Sequence, residues 1–158
     1  MNDDRSIQLD RMRYTKNTSS SRLAYLAIVF DVLFFISIYK SDVGKYYYTI
    51  LVGASIIYNL VFLLATFLSS EGVKNYQKEY SYVEIVLGVI QIARIWVYPM
   101  TAHNAVLQNS PVMGDGQFVY TVICLALSAL CLIASAVINL RKSSELSAHI
   151  ASLEAKKA

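Results

Sequence analysis

Apolar residues fall into four long runs along the chain, and short polar segments separate them. The runs cover residues 23–39, 46–68, 82–100 and 117–140. Each run is close to the ~20 residues that an α-helix needs to cross a hydrocarbon core ~30 Å thick. Strands of a membrane β-barrel would instead alternate in polarity over ~10 residues. The pattern therefore predicts an all-α integral membrane protein whose four transmembrane helices form a bundle.

The predicted transmembrane domain covers residues 22–142, with helices at about 22–39, 46–68, 81–100 and 117–140. A polar segment, residues 1–21, precedes it. Within this segment, residues 17–21 (Asn-Thr-Ser-Ser-Ser) indicate a flexible stretch that supplies an N-cap for the first helix.

Residues 143–158 form a polar tail after the fourth run. Leu146, Ile150 and Leu153 are spaced there as on one face of a helix. We therefore expect the fourth helix to continue beyond the membrane as a short amphipathic extension. This face is either a solvated helix with scattered apolar residues or a docking stripe for a partner.

The composition excludes several classes of protein. Of the 158 residues, 56% are hydrophobic and 16% are charged, and the mean hydropathy is +0.44. Soluble domains carry roughly 25% charged residues, and disordered chains lack this much apolar surface. Two cysteines are too few for a disulfide scaffold, and a net charge of +3 gives no reason to expect nucleic acid as a partner.

Basic residues are distributed unevenly between the segments that flank the four runs. Eleven of the fourteen lie on one predicted side: Arg5, Arg11, Arg13, Lys16, Arg22, Lys74, Lys78, Arg141, Lys142, Lys156 and Lys157. Lys40 and Lys45 lie on the opposite side, and Arg94 falls inside a run. The positive-inside rule then predicts that both termini are cytoplasmic, in the cell (plasma or inner) membrane.

Two of the predicted helices carry ionisable residues. Asp31 lies near the middle of the first helix, where such a group costs about 2.5–3.5 kcal/mol on insertion scales. The third helix carries Glu84, Gln91 and Arg94 within one arc of about 120° on a helical wheel. This arc makes the third helix only marginally stable in lipid without partners. We expect the arc to face the other helices.

Asp31 and Arg94 are candidates for an ion pair. The first and third helices run in the same direction, and a helical side chain leans toward its own N-terminus, which brings the Arg94 guanidinium toward the level of Asp31. Gln91 and Asn59 are candidates to complete the hydrogen bonds. Two interpretations stay open: the pair fixes the packing of the helices, or Asp31 takes part in transport or proton chemistry.

The fourth helix carries small, weakly polar residues at 3-4-3-4 spacing: Thr121, Cys124, Ser128, Cys131 and Ser135. Small residues allow helices to approach closely in lipid, so this face predicts a packing seam. The two cysteines, about 10 Å apart along the helix axis, cannot bridge each other. His103 and His149 fall on opposite sides of the membrane, so the sequence predicts no metal site and no cofactor.

The layout of four short helices with a carboxylate, Asp31, midway along the first resembles that of small multidrug resistance transporters. Those proteins work as dimers, so the resemblance implies a homo-oligomer. The likeness is one of layout and assigns no family: this chain has Asp in place of the family's Glu, a longer charged N-terminal segment, and Arg94 among its helices.

Two functional hypotheses follow, and neither is enzymatic, because no phosphate-binding glycine loop and no His-Glu-x-x-His or Gly-x-Ser-x-Gly motif is present. The first is an accessory or scaffold subunit of a larger membrane complex of the transporter type. The second is a small proton-coupled transporter or channel that acts as a homo-oligomer with Asp31 as the titrating group. Both require the lipid bilayer, and both imply a membrane-protein partner or a second copy of the chain.

Overall fold

The computed structural model describes residues 2–39, 49–107 and 110–155. Its α-helices are α1 (Asn2–Met12), α2 (Thr18–Tyr39), α3 (Thr49–Lys74), α4 (Lys78–Ile95), α5 (Thr101–Asn104) and α6 (Asp115–Ala155). A π-helical turn, Trp96–Met100, joins α4 to α5. Two short antiparallel strands, β1 (Val106–Leu107) and β2 (Ser110–Pro111), precede α6.

Four helical segments are long and apolar enough to cross a membrane, as the sequence predicts. They are Thr18–Tyr39, Ile56–Lys74, Lys78–Asn104 and Asp115–Ala155. The predicted start of the second helix at residues 46–48 lies outside the described residues, as do Lys40 and Lys45.

The segment before the first membrane helix differs from the prediction. Residues 2–12 form α1, and α2 begins at Thr18, four residues earlier than expected. Asn17 is buried: its backbone N–H donates to the Lys74 carbonyl at 2.8 Å, and its side chain reaches Asn139 at 3.0 Å. The stretch predicted to be flexible is therefore helical from Thr18 onward, and Asn17, Ser20 and Ser21 are buried against other parts of the chain.

The second helix also extends beyond its predicted end at residue 68. Ser70 donates its hydroxyl to the Phe67 carbonyl at 2.8 Å, so a polar residue is accommodated within the helix and does not end it. The helix ends in a Schellman motif, in which Gln77 N–H donates to Gly72 O and Tyr76 N–H to Val73 O. Tyr76 has a φ of 58°, in the left-handed region that this motif requires.

The third helix continues past residue 100 into α5. Pro99 lacks a backbone N–H, and the wider π-helical turn accommodates it without ending the helix. The segment after α5 was predicted to cap the helices or to contact a partner. In the structure Met113 is fully buried and packs with Phe34, Ile38 and Leu125, so this segment closes one end of the helices with an apolar cluster.

Helix α6 has 41 residues and replaces the predicted helix 117–140 and tail by one continuous element. At 1.5 Å per residue it is about 60 Å long, roughly twice the hydrocarbon thickness. The prediction that the fourth helix continues into the tail is confirmed as far as Ala155. Helix α1 packs against this extension, and the Asp10 carboxylate lies 2.9 Å from His149 Nε2.

The four long helices contact one another in a ring. Helix α6 packs extensively against α2 and α4, and α3 packs against α2 and α4 on the other side. Helices α2 and α4 therefore face each other across the ring, with few direct backbone contacts. One end of the ring carries α1 and the end of α6, and we call it the termini end. The other end carries the apolar cluster around Met113.

The tight turn between α3 and α4 depends on Gly72. A Cβ atom at this position would lie 2.1 Å from Cγ of Tyr80. We expect Gly72→Ala to lower the free energy of unfolding by roughly 1–3 kcal/mol, the usual cost of overpacking. Gly53→Ala is the matched control, because nothing lies within 4 Å of a Cβ there. Melting temperatures in detergent test this: equal values for the two variants would contradict the close approach.

Candidate functional site

An ion pair joins α2 to α4 across the ring. The Arg94 Nη1 atom lies 2.9 Å from Asp31 Oδ1. Both side chains are removed from the surface: Asp31 is 0% exposed and Arg94 is 5% exposed. The structure therefore brings together the two ionisable residues for which the sequence suggested a contact. Because their charges cancel, the pair is far less costly in an apolar environment than either group alone.

Two amide side chains complete the environment of this pair. Gln91 Nε2 donates to Asp31 Oδ1 at 2.8 Å, and Arg94 Nη2 donates to Asn59 Oδ1 on α3. Gln91 Nε2 also lies 3.2 Å from Ser128 Oγ on α6, and that hydroxyl donates to the Ala27 carbonyl on α2 at 3.1 Å. Each of the four long helices thus contributes a side chain to one network, which we call the central network (Asp31, Asn59, Gln91, Arg94 and Ser128).

Aromatic rings surround the guanidinium group of Arg94. Its Cζ atom lies 4.4 Å from the ring centre of Phe34, 4.9 Å from that of Tyr58 and 5.7 Å from that of Tyr98. Such cation–π contacts are worth about 2 kcal/mol or more when they are shielded from water. The sequence reasoning missed these rings. Their signal was present, since Phe34 is one helical turn from Asp31, Tyr98 is one turn from Arg94, and Tyr58 precedes Asn59.

A cavity of about 230 Å³ lies beside the central network, between α3 and α4. Its lining is almost entirely apolar and includes Tyr58, Ile90, Arg94 and Val97. Within the described part of the chain, Arg94 Nε and the Tyr58 hydroxyl have no hydrogen-bond partner, but both are buried behind the wall. The cavity therefore offers a small apolar space and no accessible reactive group.

The small residues of the seam on α6 face the inside of the ring, with one exception. Thr121, Cys124, Ser128 and Ser135 are buried, whereas Cys131 is only partly buried. Ser135 donates its hydroxyl to the Ser20 carbonyl at 2.9 Å, which parallels the contact of Ser128 with Ala27. The seam thus holds α6 against the backbone of α2. Both cysteines are free thiols.

Glu84 is not part of the central network, although the sequence grouped it with Gln91 and Arg94. It lies two turns from Gln91 toward the termini end, is 0% exposed, and has the Ser135 hydroxyl as a neighbouring polar group. That hydroxyl carries a single proton, which in the structure is directed to the Ser20 carbonyl at 2.9 Å. Neither carboxyl oxygen of Glu84 has a hydrogen-bond partner among the described residues.

A second polar cluster at the termini end was not predicted. Asn139 donates to Ser81 Oγ at 2.8 Å and to the Gln77 carbonyl at 2.9 Å, and it accepts from Asn17 at 3.0 Å. Lys142 Nζ donates to Asn17 Oδ1 at 3.1 Å. A signal for this cluster existed, because Asn139 lies four residues after Ser135 and so continues the seam. We call these four side chains the termini clasp (Asn17, Ser81, Asn139 and Lys142).

Comparison of the chain with models of protein families, with curated proteins and with solved structures gives no match. Function is therefore inferred from the geometry of the chain alone.

The central network leads to a double-mutant prediction. We expect Asp31→Asn and Arg94→Gln each to lower the free energy of unfolding by about 3–5 kcal/mol, because each leaves one buried charge without its partner. The double variant should recover most of this loss, since no charge then remains. Thermal unfolding of the three variants in one detergent measures the coupling. Strictly additive losses would show that the two side chains do not stabilise each other.

Proposed function

We propose that this protein is an accessory or scaffold subunit of a larger membrane complex of the transporter type. The observation that carries the proposal is the composition of the central network. Asp31 and Arg94 are bound to each other, and side chains from all four long helices share their hydrogen bonds. This buried ion pair therefore holds the helices in register, as a structural subunit requires.

The termini end supports a role in assembly. Helix α1 and the end of α6 together form a surface with a groove lined by Asp10, Arg13, Ile150, Leu153 and Glu154. Two of the three residues of the predicted docking stripe, Ile150 and Leu153, lie in this groove and remain only partly covered. A partner that binds here would meet apolar side chains with charged residues at their edge, an arrangement typical of protein interfaces.

The orientation that we propose places this surface in the cytoplasm. In the sequence, eleven basic residues belong to the segments predicted to lie on the side of α1 and the tail, against Lys40 and Lys45 in the segment predicted to lie on the opposite side. The positive-inside rule favours a cytoplasmic location for the side with the excess, in the cell membrane.

Site-directed labelling tests this orientation. Cysteines introduced at Ser19 and Val106, both exposed and at opposite ends of the ring, should react with a membrane-impermeant thiol reagent from opposite faces. The natural Cys124 and Cys131 are first replaced by alanine. In intact cells, only the Val106 position should be labelled. Labelling of Ser19 from outside would reverse the orientation, and labelling of both from one face would contradict four crossings.

Copurification tests the scaffold proposal. The full chain, extracted in a mild detergent, should bring a stoichiometric membrane-protein partner with it, and it should move no substrate when reconstituted alone into liposomes. Ile150→Asp should release the partner because it places a charge in the apolar groove. Ala151→Asp is the matched control, since that position is exposed on the neighbouring face. Transport by the chain alone, or identical partner recovery with both variants, would contradict the proposal.

A second candidate function is a small proton-coupled transporter or channel that works as a homo-oligomer. Asp31, the titrating group expected from the sequence, binds Arg94 and Gln91 through Oδ1, and its Oδ2 has no hydrogen-bond partner among the described residues. Glu84 favours this candidate more directly, because it is buried in the ring and its carboxyl oxygens have no partner among the described residues. An intramembrane ionisable residue in this position is a functional candidate by default.

A further inference from the structure

We propose that Glu84 is a reversible proton-binding site that exchanges its proton with the aqueous phase at the termini end. This property is independent of the scaffold role and holds whichever of the two functions above applies. It rests on what surrounds the carboxyl group, on which polar groups lead away from it, and on how the opposite end of the ring is closed.

The surroundings of Glu84 suit a neutral carboxyl group and not an ionised one. An ionised carboxylate accepts hydrogen bonds only, and in an apolar interior it requires donors or a cation. The nearest hydroxyl, that of Ser135, is already committed as a donor to the Ser20 carbonyl at 2.9 Å. Its oxygen can still accept a hydrogen bond. Ser135 has one proton to share between the Ser20 carbonyl and Glu84, so an ionised Glu84 could gain this donor only by taking it from that carbonyl, whereas a protonated Glu84 can donate to the Ser135 oxygen.

Charged and titratable groups on the neighbouring helices do not change this conclusion. At the level of Glu84, they are Tyr25 on α2, Glu71 and Lys74 on α3 and the thiol of Cys131 on α6. Lys74 Nζ and the Tyr25 hydroxyl both bind the Glu71 carboxylate, at 2.9 Å and 2.7 Å. In the same helix as Glu84, Arg94 lies about 15 Å further along and pairs with Asp31. No cation in the described ranges forms an ion pair with Glu84.

A series of polar side chains leads from Glu84 to the termini end. Ser81 precedes Glu84 by one helical turn on the same face. Its hydroxyl accepts from Asn139 at 2.8 Å, Asn139 accepts from Asn17 at 3.0 Å, and Asn17 accepts from the partly exposed Lys142 at 3.1 Å. The termini clasp therefore makes the region between the level of Ser81 and the surface polar and hydrogen-bonded, in contrast to the apolar packing on the other side of Glu84.

The opposite direction is closed. One turn beyond Glu84, Gly88 packs tightly on Ile133, where an added Cβ would lie 2.9 Å from Cγ1. Beyond the central network, the apolar cluster around Met113 and Leu125 fills the end of the ring. Among the described residues, the polar side chains of the clasp thus lie on one side of Glu84, and apolar packing and the paired central network lie on the other. A site of this kind takes up and releases protons at the termini end without giving them a path through the protein.

Infrared spectroscopy of the full chain in lipid vesicles tests the proton site directly. At neutral pH the wild type should show the carbonyl stretching band of a protonated carboxyl group, and raising the pH should remove it. Glu84→Gln should lack this band, whereas Glu71→Gln, which changes a partly exposed glutamate on α3, should keep it. Absence of the band from the wild type, or its presence in folded Glu84→Gln, would overturn the proposal.

A labelling experiment on the wild type gives the same information should Glu84→Gln fail to fold. A lipid-soluble carbodiimide, which reacts with protonated carboxyl groups, should modify Glu84 at neutral pH and less at high pH, as mapped by mass spectrometry. Modification of other carboxyl groups with none at Glu84 would overturn the proposal.

The polar connection to the termini end has a matched pair of variants. Ser81→Ala removes the hydroxyl of the clasp that lies one helical turn from Glu84. Thr66→Ala removes a buried hydroxyl on α3 that donates to the Phe62 carbonyl of its own helix at 2.9 Å. After a jump to high pH, the carboxyl band should disappear more slowly in Ser81→Ala than in the wild type and at an unchanged rate in Thr66→Ala. Equal rates in all three proteins, or slowing only in Thr66→Ala, would overturn the assigned connection.

Discussion

Asp31 and Arg94 connect two helices that lie across the ring from each other and share few direct backbone contacts. In lipid, apolar surfaces supply no hydrophobic driving force for helix association, so packing and hydrogen bonds must hold the helices together. A shift of α4 by one turn, about 5.4 Å, would separate the pair and leave two charges buried without partners. The ion pair therefore fixes the depth of α4 relative to α2, and Gln91 and Asn59 extend this constraint to the other two helices.

The membrane segments could be predicted from the sequence because each apolar run is close to the length of ~20 residues that a bilayer requires. The ends of these segments were predicted less accurately, because polar residues were assumed to be exposed to water. Asn17 and Ser70 are polar but buried, and both satisfy their hydrogen bonds within the protein. Tyr76 adopts the left-handed conformation that a helix end usually assigns to Gly or Asn. These local structures depend on contacts between segments that are distant in the chain. The hydrophobic periodicity of a single segment contains no information about such contacts.

Part of the candidate site could also be predicted from residue positions along the sequence. The level of Asp31 and Arg94 in the membrane follows from counting residues, and the contact follows from the level. Glu84 shares the helical face of Gln91 and was therefore assigned to the same network. Seven residues along a helix correspond to about 10 Å, which is beyond the reach of a hydrogen bond. A helical wheel gives the direction in which a side chain points but not its neighbours along the helix axis. It could therefore not show that Glu84 and Asp31 have different surroundings.

These two carboxyl groups show how one apolar interior accommodates acidic side chains in two ways. Asp31 has a cation and an amide donor at its Oδ1, and both favour the charged form against the opposing effect of burial, although Oδ2 has no partner among the described residues. Glu84 has one neighbouring hydroxyl, whose proton is directed to the Ser20 carbonyl, and no cation among the described residues. The difference arises from α6, which places Ser128 beside the donor Gln91 and Ser135 beside the backbone of α2. The same seam of small residues that packs the helices thus separates a structural charge pair from a site that can gain and lose a proton.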